Sequence, residues 1–166
     1  LFAVSPEGQA QIDLANSLFK KADIYFTQGN YVEVERLFKR SLTIFEKAFG
    51  PEHPGVSISL ELLARLYYFQ ERYTEAELLF KRSLAIKENI LGPEHPEVAT
   101  TLNNLGQLYY NQGRYAEAEP LEKRSLAISE KVLGTEHSDV ASSLNSLARL
   151  YYKQGRYTEA EPLFKR

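Results

Sequence analysis

Apolar residues recur along the chain at the spacing of an α-helix. Between residues 96 and 111 they fall at intervals of four, three and four residues, at Val98, Leu102, Leu105 and Tyr109. These intervals place them on one face of a helix. Gly113 suits the end of that helix, and a second amphipathic helix is predicted from about Tyr115 to Leu133, ending at Gly134. Because no stretch alternates apolar and polar residues as a strand does, the pattern predicts an all-α fold.

The same pattern returns every 42 residues. The motif QGNY at 28–31 returns as QERY at 70–73 and as QGRY at 112–115 and 154–157. We therefore divide the chain into four repeats of two helices each, numbered 1 to 4, at about 10–53, 54–95, 96–137 and 138–166, the last one truncated. A two-helix repeat cannot bury its apolar face alone, so the repeats are expected to stack into a single array over residues 1–166.

The residues inside each repeat indicate its type. A period of 42 residues alone also admits HEAT or armadillo repeats. Repeat 3, however, has large apolar, small and aromatic residues in an order that resembles the tetratricopeptide signature: Leu102, Leu105, Gly106, Tyr109 and Ala118. Its length and the LGPEHP loop at 91–96 are similar to the repeats of kinesin light chain. The resemblance implies a right-handed superhelical solenoid of antiparallel helix pairs, which binds short cargo peptides in its concave groove.

The composition of the chain argues against several classes of protein. Apolar residues make up 43% and charged residues 25% of the chain, as in folded soluble proteins, and the net charge of −2 argues against a nucleic-acid binder. No apolar run is long enough for a membrane span. Because the chain has no cysteine, disulfides and thiolate metal sites are excluded. This absence alone does not decide the compartment, but it is compatible with the cytoplasmic location that we expect.

The two ends of the sequence favour a longer parent protein. The chain contains no methionine, even at position 1, so we expect a piece of a larger protein. At the N-terminal end, Ser5, Pro6 and Glu7 suit a capped helix start. Repeat 4 stops inside its second helix, and its apolar face is expected to be covered by further repeats or by a partner. End-to-end self-association through this uncapped terminus is one such arrangement.

The histidines and serines are the candidates for chemistry. His53, His95 and His137 occupy a single repeat position, so they form a ladder rather than the cage that a metal ion needs. We interpret them as caps of helix starts or as packing residues in the loops. The serines that share one position of the second helix are interpreted as small packing residues whose hydroxyls bond back into their own helix: Ser41, Ser83 and Ser125. No nucleophile elbow, phosphate loop or HExxH motif is present, so we expect no catalysis, metal or cofactor.

One stripe of the first helix in each repeat carries the candidate binding residues. It lies next to the core face, and by resemblance to tetratricopeptide solenoids it lines the concave groove. The predicted peptide-binding residues are Glu61, Arg65, Tyr68, Asn103, Asn104, Gln107, Tyr110, Asn145, Arg149 and Tyr152. Asparagine amides pair with a peptide backbone, arginines hold carboxylates, and tyrosines give contact area. The alternative is that these residues only solvate the wall and pack between repeats.

One residue departs from the repeat pattern. Glu122 stands where the other repeats have Phe38, Phe80 and Phe164. This substitution predicts a looser contact, or a side chain that tilts to solvent and pairs with a nearby base.

These observations favour a non-catalytic module that binds a short, extended and partly acidic peptide of a protein partner. The alternative is a scaffold or self-assembling segment of a larger, signalling protein that has no peptide ligand of its own.

Overall fold

The computed structural model describes residues 4–165, which form eight α-helices and no β-strand within that range. The helices are α1 (Pro6–Thr27), α2 (Tyr31–Phe49), α3 (Pro54–Phe69), α4 (Tyr73–Leu91), α5 (Pro96–Asn111), α6 (Tyr115–Leu133), α7 (Ser138–Lys153) and α8 (Tyr157–Phe164). The prediction of an all-α fold with a helix over Tyr115–Leu133 is therefore confirmed. The starts of α3, α5 and α7 are 42 residues apart, as the sequence period requires.

The chain forms two compact units, Leu1–Ile86 and Lys87–Arg166, which we call the N-terminal and C-terminal units. In the N-terminal unit α1 packs on α2 and α2 on α3. In the C-terminal unit α5 packs on α6, α6 on α7 and α7 on α8. Because the connections within a repeat are only a few residues long, the two helices of a repeat are expected to run antiparallel. The predicted repeat boundaries and the single array over residues 1–166 stay predictions.

The helix starts confirm the predicted cap role of the histidines. Nδ1 of His53 accepts a hydrogen bond from the Gly55 backbone N–H at 3.0 Å. His95 and His137 do the same for the N–H groups two residues on, at 3.2 and 3.1 Å. Each imidazole thus satisfies a backbone donor that the helix leaves without a partner. This role uses a nitrogen lone pair that metal binding or base catalysis needs.

The N-terminal helix is longer than its counterparts. The Ser5 hydroxyl accepts from the Gly8 backbone N–H at 3.0 Å, and Pro6 occupies the first turn, so the predicted capped start is confirmed. As a result α1 has 22 residues, whereas α3, α5 and α7 have 16 each.

Each unit has its own apolar core. That of the N-terminal unit joins α1, α2, α3 and α4 through Ala15, Phe45, Val56, Leu60 and Ile86. The core of the C-terminal unit includes Val98, Leu102, Leu105, Leu144 and Leu147, all almost fully buried. Burial of one such large side chain contributes about 1.5–3 kcal/mol, so these positions determine which face of each helix is left for binding.

The buried serines differ from the prediction in their partners. The hydroxyl of Ser83 donates to the Ser57 carbonyl at 2.9 Å, and that of Ser125 donates to the Ala99 carbonyl at 2.8 Å. These acceptors belong to the preceding helix and not to the serine's own helix, so that detail was wrong. The short side chain lets the two helices approach closely enough for the neighbouring carbonyl to be in reach.

Candidate functional site

In the C-terminal unit the predicted stripe lies on α5 and α7. Three stripe residues of α7 are exposed: Asn145, Arg149 and Tyr152. Tyr152 is 58% exposed. On α5 the stripe residues are all half-buried: Asn103, Asn104, Gln107 and Tyr110. In the described part of the chain, the stripe of α7 is therefore more exposed than that of α5.

The structure brings Tyr110, Arg149 and Tyr152 together around one depression of about 290 Å³. The Arg149 guanidinium lies over the Tyr110 ring, 5.1 Å from its centroid. Lys153 and Phe164 complete the lining. A surface with two cations and three aromatic rings suits an anionic group attached to an apolar or planar body.

Asn103 and Gln107 turn toward a buried acid instead. Asn103 Nδ2 donates to Glu122 Oε2 at 2.8 Å, and Gln107 Nε2 donates to Glu122 Oε1 at 3.4 Å. Glu122 is only 1% exposed. The prediction that Glu122 tilts to solvent and pairs with a base was therefore wrong, because two amides of α5 offer the donors that the buried carboxylate needs.

The space for Glu122 comes from a glycine on the facing helix. A Cβ atom added to Gly106 would lie 2.5 Å from Glu122 Oε1. The corresponding positions of repeats 2 and 4 are Ala64 and Ala148. Burial raises the pKa of Glu122 to about 7, although the hydrogen bonds from the two amides and the charge of Arg149 oppose this.

Glu122 is the functional candidate that the pattern of the stripe does not contain. Its signal in the sequence is the joint departure of two positions in one repeat: glycine replaces alanine at position 106 and an acid replaces phenylalanine at position 122. Lys153 borders the stripe on α7, and Phe164 is a further addition that only the folded arrangement places beside Arg149.

The stripe of the N-terminal unit lies on α3. Arg65 is exposed, and Glu61 and Tyr68 are half-buried. The Tyr68 ring lies 5.9 Å from that of Tyr73. Whether these residues bind a ligand stays a prediction, as it does for every residue of the stripe.

A second polar arrangement occurs once within each unit and holds helices together. Glu35 accepts hydrogen bonds from the Tyr67 hydroxyl at 2.8 Å and from Arg72 at 2.9 Å. In the C-terminal unit Glu119 accepts from Tyr151 at 3.4 Å and from Arg156 at 2.6 Å. Both acids also pair with a lysine of their own helix. We assign these contacts to stability, since the tyrosine and arginine donors come from the next repeat and join it to the helix that carries the acid.

Within residues 4–165, no group of three or more His, Cys, Asp or Glu side chains is placed to hold a metal ion. None of the helices in that range is long and apolar enough to span a bilayer.

Solved structures similar to this chain share its fold. BtubC (BKLC) from P. vanneervenii superposes over 94% of this chain with a TM-score of 0.87 at 22% identity. The chain spans 62% of the length of BtubC. A putative kinesin light chain from Podosopora anserina with nearly identical TPR-like repeats is 29% identical, with a TM-score of 0.78 over 99% of this chain and 75% of that one. RapI is 25% identical, with a TM-score of 0.80 over 93% of this chain and 42% of its own.

The sequence comparisons identify the family. No curated protein sequence matches this chain. The tetratricopeptide repeat model matches residues 13–89, 79–131 and 97–166. The predicted fold class and the kinesin light chain-like repeat type are confirmed. Tetratricopeptide repeats are protein–protein interaction modules and are generally non-catalytic. The chain belongs to the tetratricopeptide repeat family.

Proposed function

We propose that this chain is a non-catalytic, cytoplasmic interaction module that binds a short, extended and partly acidic peptide of a protein partner. The observation that carries the proposal is the depression in the C-terminal unit, where Arg149 and Lys153 lie among Tyr110, Tyr152 and Phe164.

The cations of this depression are available to a ligand. Within the described part of the chain, neither Arg149 nor Lys153 is in an ion pair, and both are exposed. The charged groups that stabilise the helices, in contrast, are paired, as Arg156 is with Glu119 at 2.6 Å. An arginine held over a tyrosine ring is already oriented, so less side-chain entropy is lost when it binds a carboxylate through two hydrogen bonds.

The exposed polar and aromatic residues supply the rest of the contact. The Asn145 amide has both a donor and an acceptor and suits a peptide backbone. Tyr152 offers a large surface at a low cost in conformational entropy. In the N-terminal unit, exposed Arg65 and half-buried Glu61 and Tyr68 are proposed to form a ligand-binding surface of that unit.

The test begins with selection of ligands from a displayed library of random linear peptides about twelve residues long. Selected peptides are then measured by fluorescence anisotropy against the chain and against the double variant Arg149→Ala, Tyr152→Ala. Because a hydrogen bond to a charged group contributes about 1.5–3 kcal/mol, affinity is expected to fall at least about tenfold. Both residues are exposed, so the variant should remain folded.

A matched control is Arg36→Ala, which removes an exposed arginine of α2 outside the stripe. We expect it to bind the same peptides with unchanged affinity. Equal affinities for the chain, the control and the double variant would show that the depression is not the binding site. Light scattering of the same samples separates peptide binding from the alternative of self-association, which stays a prediction.

A further inference from the structure

The C-terminal unit holds a buried acid that peptide binding by the stripe does not by itself require. Glu122 of α6 is almost inaccessible to solvent, yet it occupies a position where the other repeats have phenylalanine. An uncompensated carboxylate at such a position is costly. Its partners are two amides of the predicted stripe, Asn103 at 2.8 Å and Gln107 at 3.4 Å.

The chemistry of a carboxylate determines how these amides are turned. An ionised carboxylate accepts hydrogen bonds but cannot donate them. While Glu122 is ionised, Asn103 and Gln107 must therefore direct their NH₂ groups at it, and their carbonyl oxygens point away from it. Asn103 Nδ2 also lies 3.4 Å from the Ser146 hydroxyl of α7, which helps to keep the amide in this orientation.

We propose that Glu122 is a positioning residue that fixes the hydrogen-bonding character of the stripe on α5. Because the NH₂ groups of Asn103 and Gln107 are held inward, this part of the stripe offers carbonyl oxygens, and it selects peptide N–H donors. On α7, Arg149 offers a guanidinium that selects carboxylates. A bound peptide would place N–H donors on α5 and an acidic group on α7. The inference rests on the proposed function and adds to it which chemical group of the peptide contacts each helix.

Two features of the surroundings show that the acid is accommodated specifically. Gly106 leaves the volume that Glu122 Oε1 occupies, since a Cβ there would lie 2.5 Å from this oxygen. Among the described residues that act on Glu122, α5 contributes only the uncharged Asn103 and Gln107, and α7 contributes the charged Arg149. The amides are therefore the direct partners of the acid, and the charge of Arg149 supports them.

Protonation of Glu122 changes this arrangement. The protonated acid has an O–H donor, which needs a carbonyl acceptor, so one of the two amides turns over. A titration followed by NMR of the side-chain NH₂ groups tests this without any ligand. In the native chain, the resonances of Asn103 and Gln107 should shift together with one midpoint. The Glu122→Gln variant should show no such transition, and the exposed Asn145 amide provides an internal control. If both amides stay constant, or shift equally in the variant, the positioning role is overturned.

The recognition part of the proposal uses the peptides selected from the random library. A set of analogues with one backbone N-methyl group at each position is bound to the chain and to Glu122→Gln. When the N-methyl group is at the peptide position that contacts α5, the affinity of the native chain should fall at least about tenfold. The affinity of the variant should fall much less, because its amides are free to turn. An equal loss in both proteins overturns the selection of donors. A library that yields no binding peptide removes the proposed function and the selection with it, while the titration still decides the positioning role.

Discussion

At the scale of single residues, Gly106 and Glu122 together replace an alanine and a phenylalanine. Repeat 2 has Ala64 with Phe80 at these positions. Each change suits the other, because the carboxylate lies in the volume that a Cβ of residue 106 would fill. A buried acid and a helical glycine both reduce stability, so the pair is expected to be retained for a property other than stability.

The coupling of these two positions is testable by substitution. Gly106→Ala alone improves helix propensity by about 1 kcal/mol, but it brings Cβ within 2.5 Å of a buried oxygen. Since overpacking costs about 1–3 kcal/mol, we expect a net loss of stability in urea unfolding. The double variant Gly106→Ala, Glu122→Phe, which restores the residues of repeat 2, should be more stable than either single variant. Strictly additive effects would contradict the coupling.

The sequence marks Glu122 as exceptional but does not reveal its surroundings. Expecting an acid in solvent is reasonable, since carboxylates are rarely buried without partners. The partners here lie on the neighbouring helix. In the sequence, Asn103 and Gln107 have the spacing that is typical of the exposed face of an amphipathic helix. Which residues of two helices face each other depends on the packing angle and on the glycine between them, and neither is encoded in the period.

At the scale of elements, periodicity and end signals together predict the helices well. Glycines with positive φ end the second helices, as Gly134 does at 82°. The sequence left two interpretations of the histidines, as caps or as packing residues. The geometry shows that all three cap a helix and that His53 also packs, with its ring 4.5 Å from that of Phe49. The partners of the serine hydroxyls escaped prediction because a hydroxyl can reach either its own helix or the next one, and helix separation determines which.

The acids that link successive repeats act differently from ordinary surface charges. Burial by itself raises the pKa of Glu35. Hydrogen bonds from Lys39, Tyr67 and Arg72 outweigh this effect and lower the pKa to about 2. The Arg72 guanidinium also lies over the Tyr67 ring, 3.8 Å from its centroid. Glu35 is therefore the centre of a network and not one half of an isolated pair.

We predict that Glu35→Gln lowers the free energy of unfolding at neutral pH by about 1–3 kcal/mol, because it removes charge-assisted hydrogen bonds that join α2 to the next repeat. The control is Glu33→Gln in the same helix, which removes an exposed pair with Arg36 and should cost less than about 1 kcal/mol. Urea unfolding at low salt measures both. If the two variants lose the same amount, the network adds nothing beyond a surface pair.

At the scale of the whole molecule, the 42-residue period and the residue pattern inside each repeat together made the fold class predictable from one sequence. A residue type that recurs at one repeat position, such as the three histidines, indicates architecture. A residue that breaks the recurrence, such as Glu122, is the better candidate for a specific role. The division into two compact units and the identity of a partner are not contained in the period, because they depend on packing and on a second molecule.

The pH dependence of stability brings these scales together in one measurement. The pKa of Glu122 is raised from 4.5 to about 7, so between these values the folded chain binds more protons than the unfolded chain. Its contribution to stability is present at low pH and is lost as pH rises through this window. Burial lowers the pKa of His53, so the unfolded chain binds more protons at this histidine than the folded chain does. Its effect on stability is therefore opposite to that of Glu122, because stability increases as pH rises. The pKa values of Glu35 and Glu119 are lowered, so these acids stabilise the folded chain when they are ionised. This stabilisation is lost at more acidic pH, as pH falls.

A comparison with Glu122→Gln isolates the buried acid, because the other groups titrate equally in both proteins. The variant lacks the ionisable group and does not lose stability when that group ionises. The free energy of unfolding of the variant minus that of the native chain should therefore be smallest near pH 4.5 and should grow by about 3 kcal/mol toward pH 8. Urea unfolding at several pH values measures this difference directly. A difference that does not change with pH would mean that Glu122 titrates as an exposed acid does, and that its carboxylate is not held in the core. A rising difference would show that ionisation of the buried group, which orients Asn103 and Gln107, costs the folded chain stability.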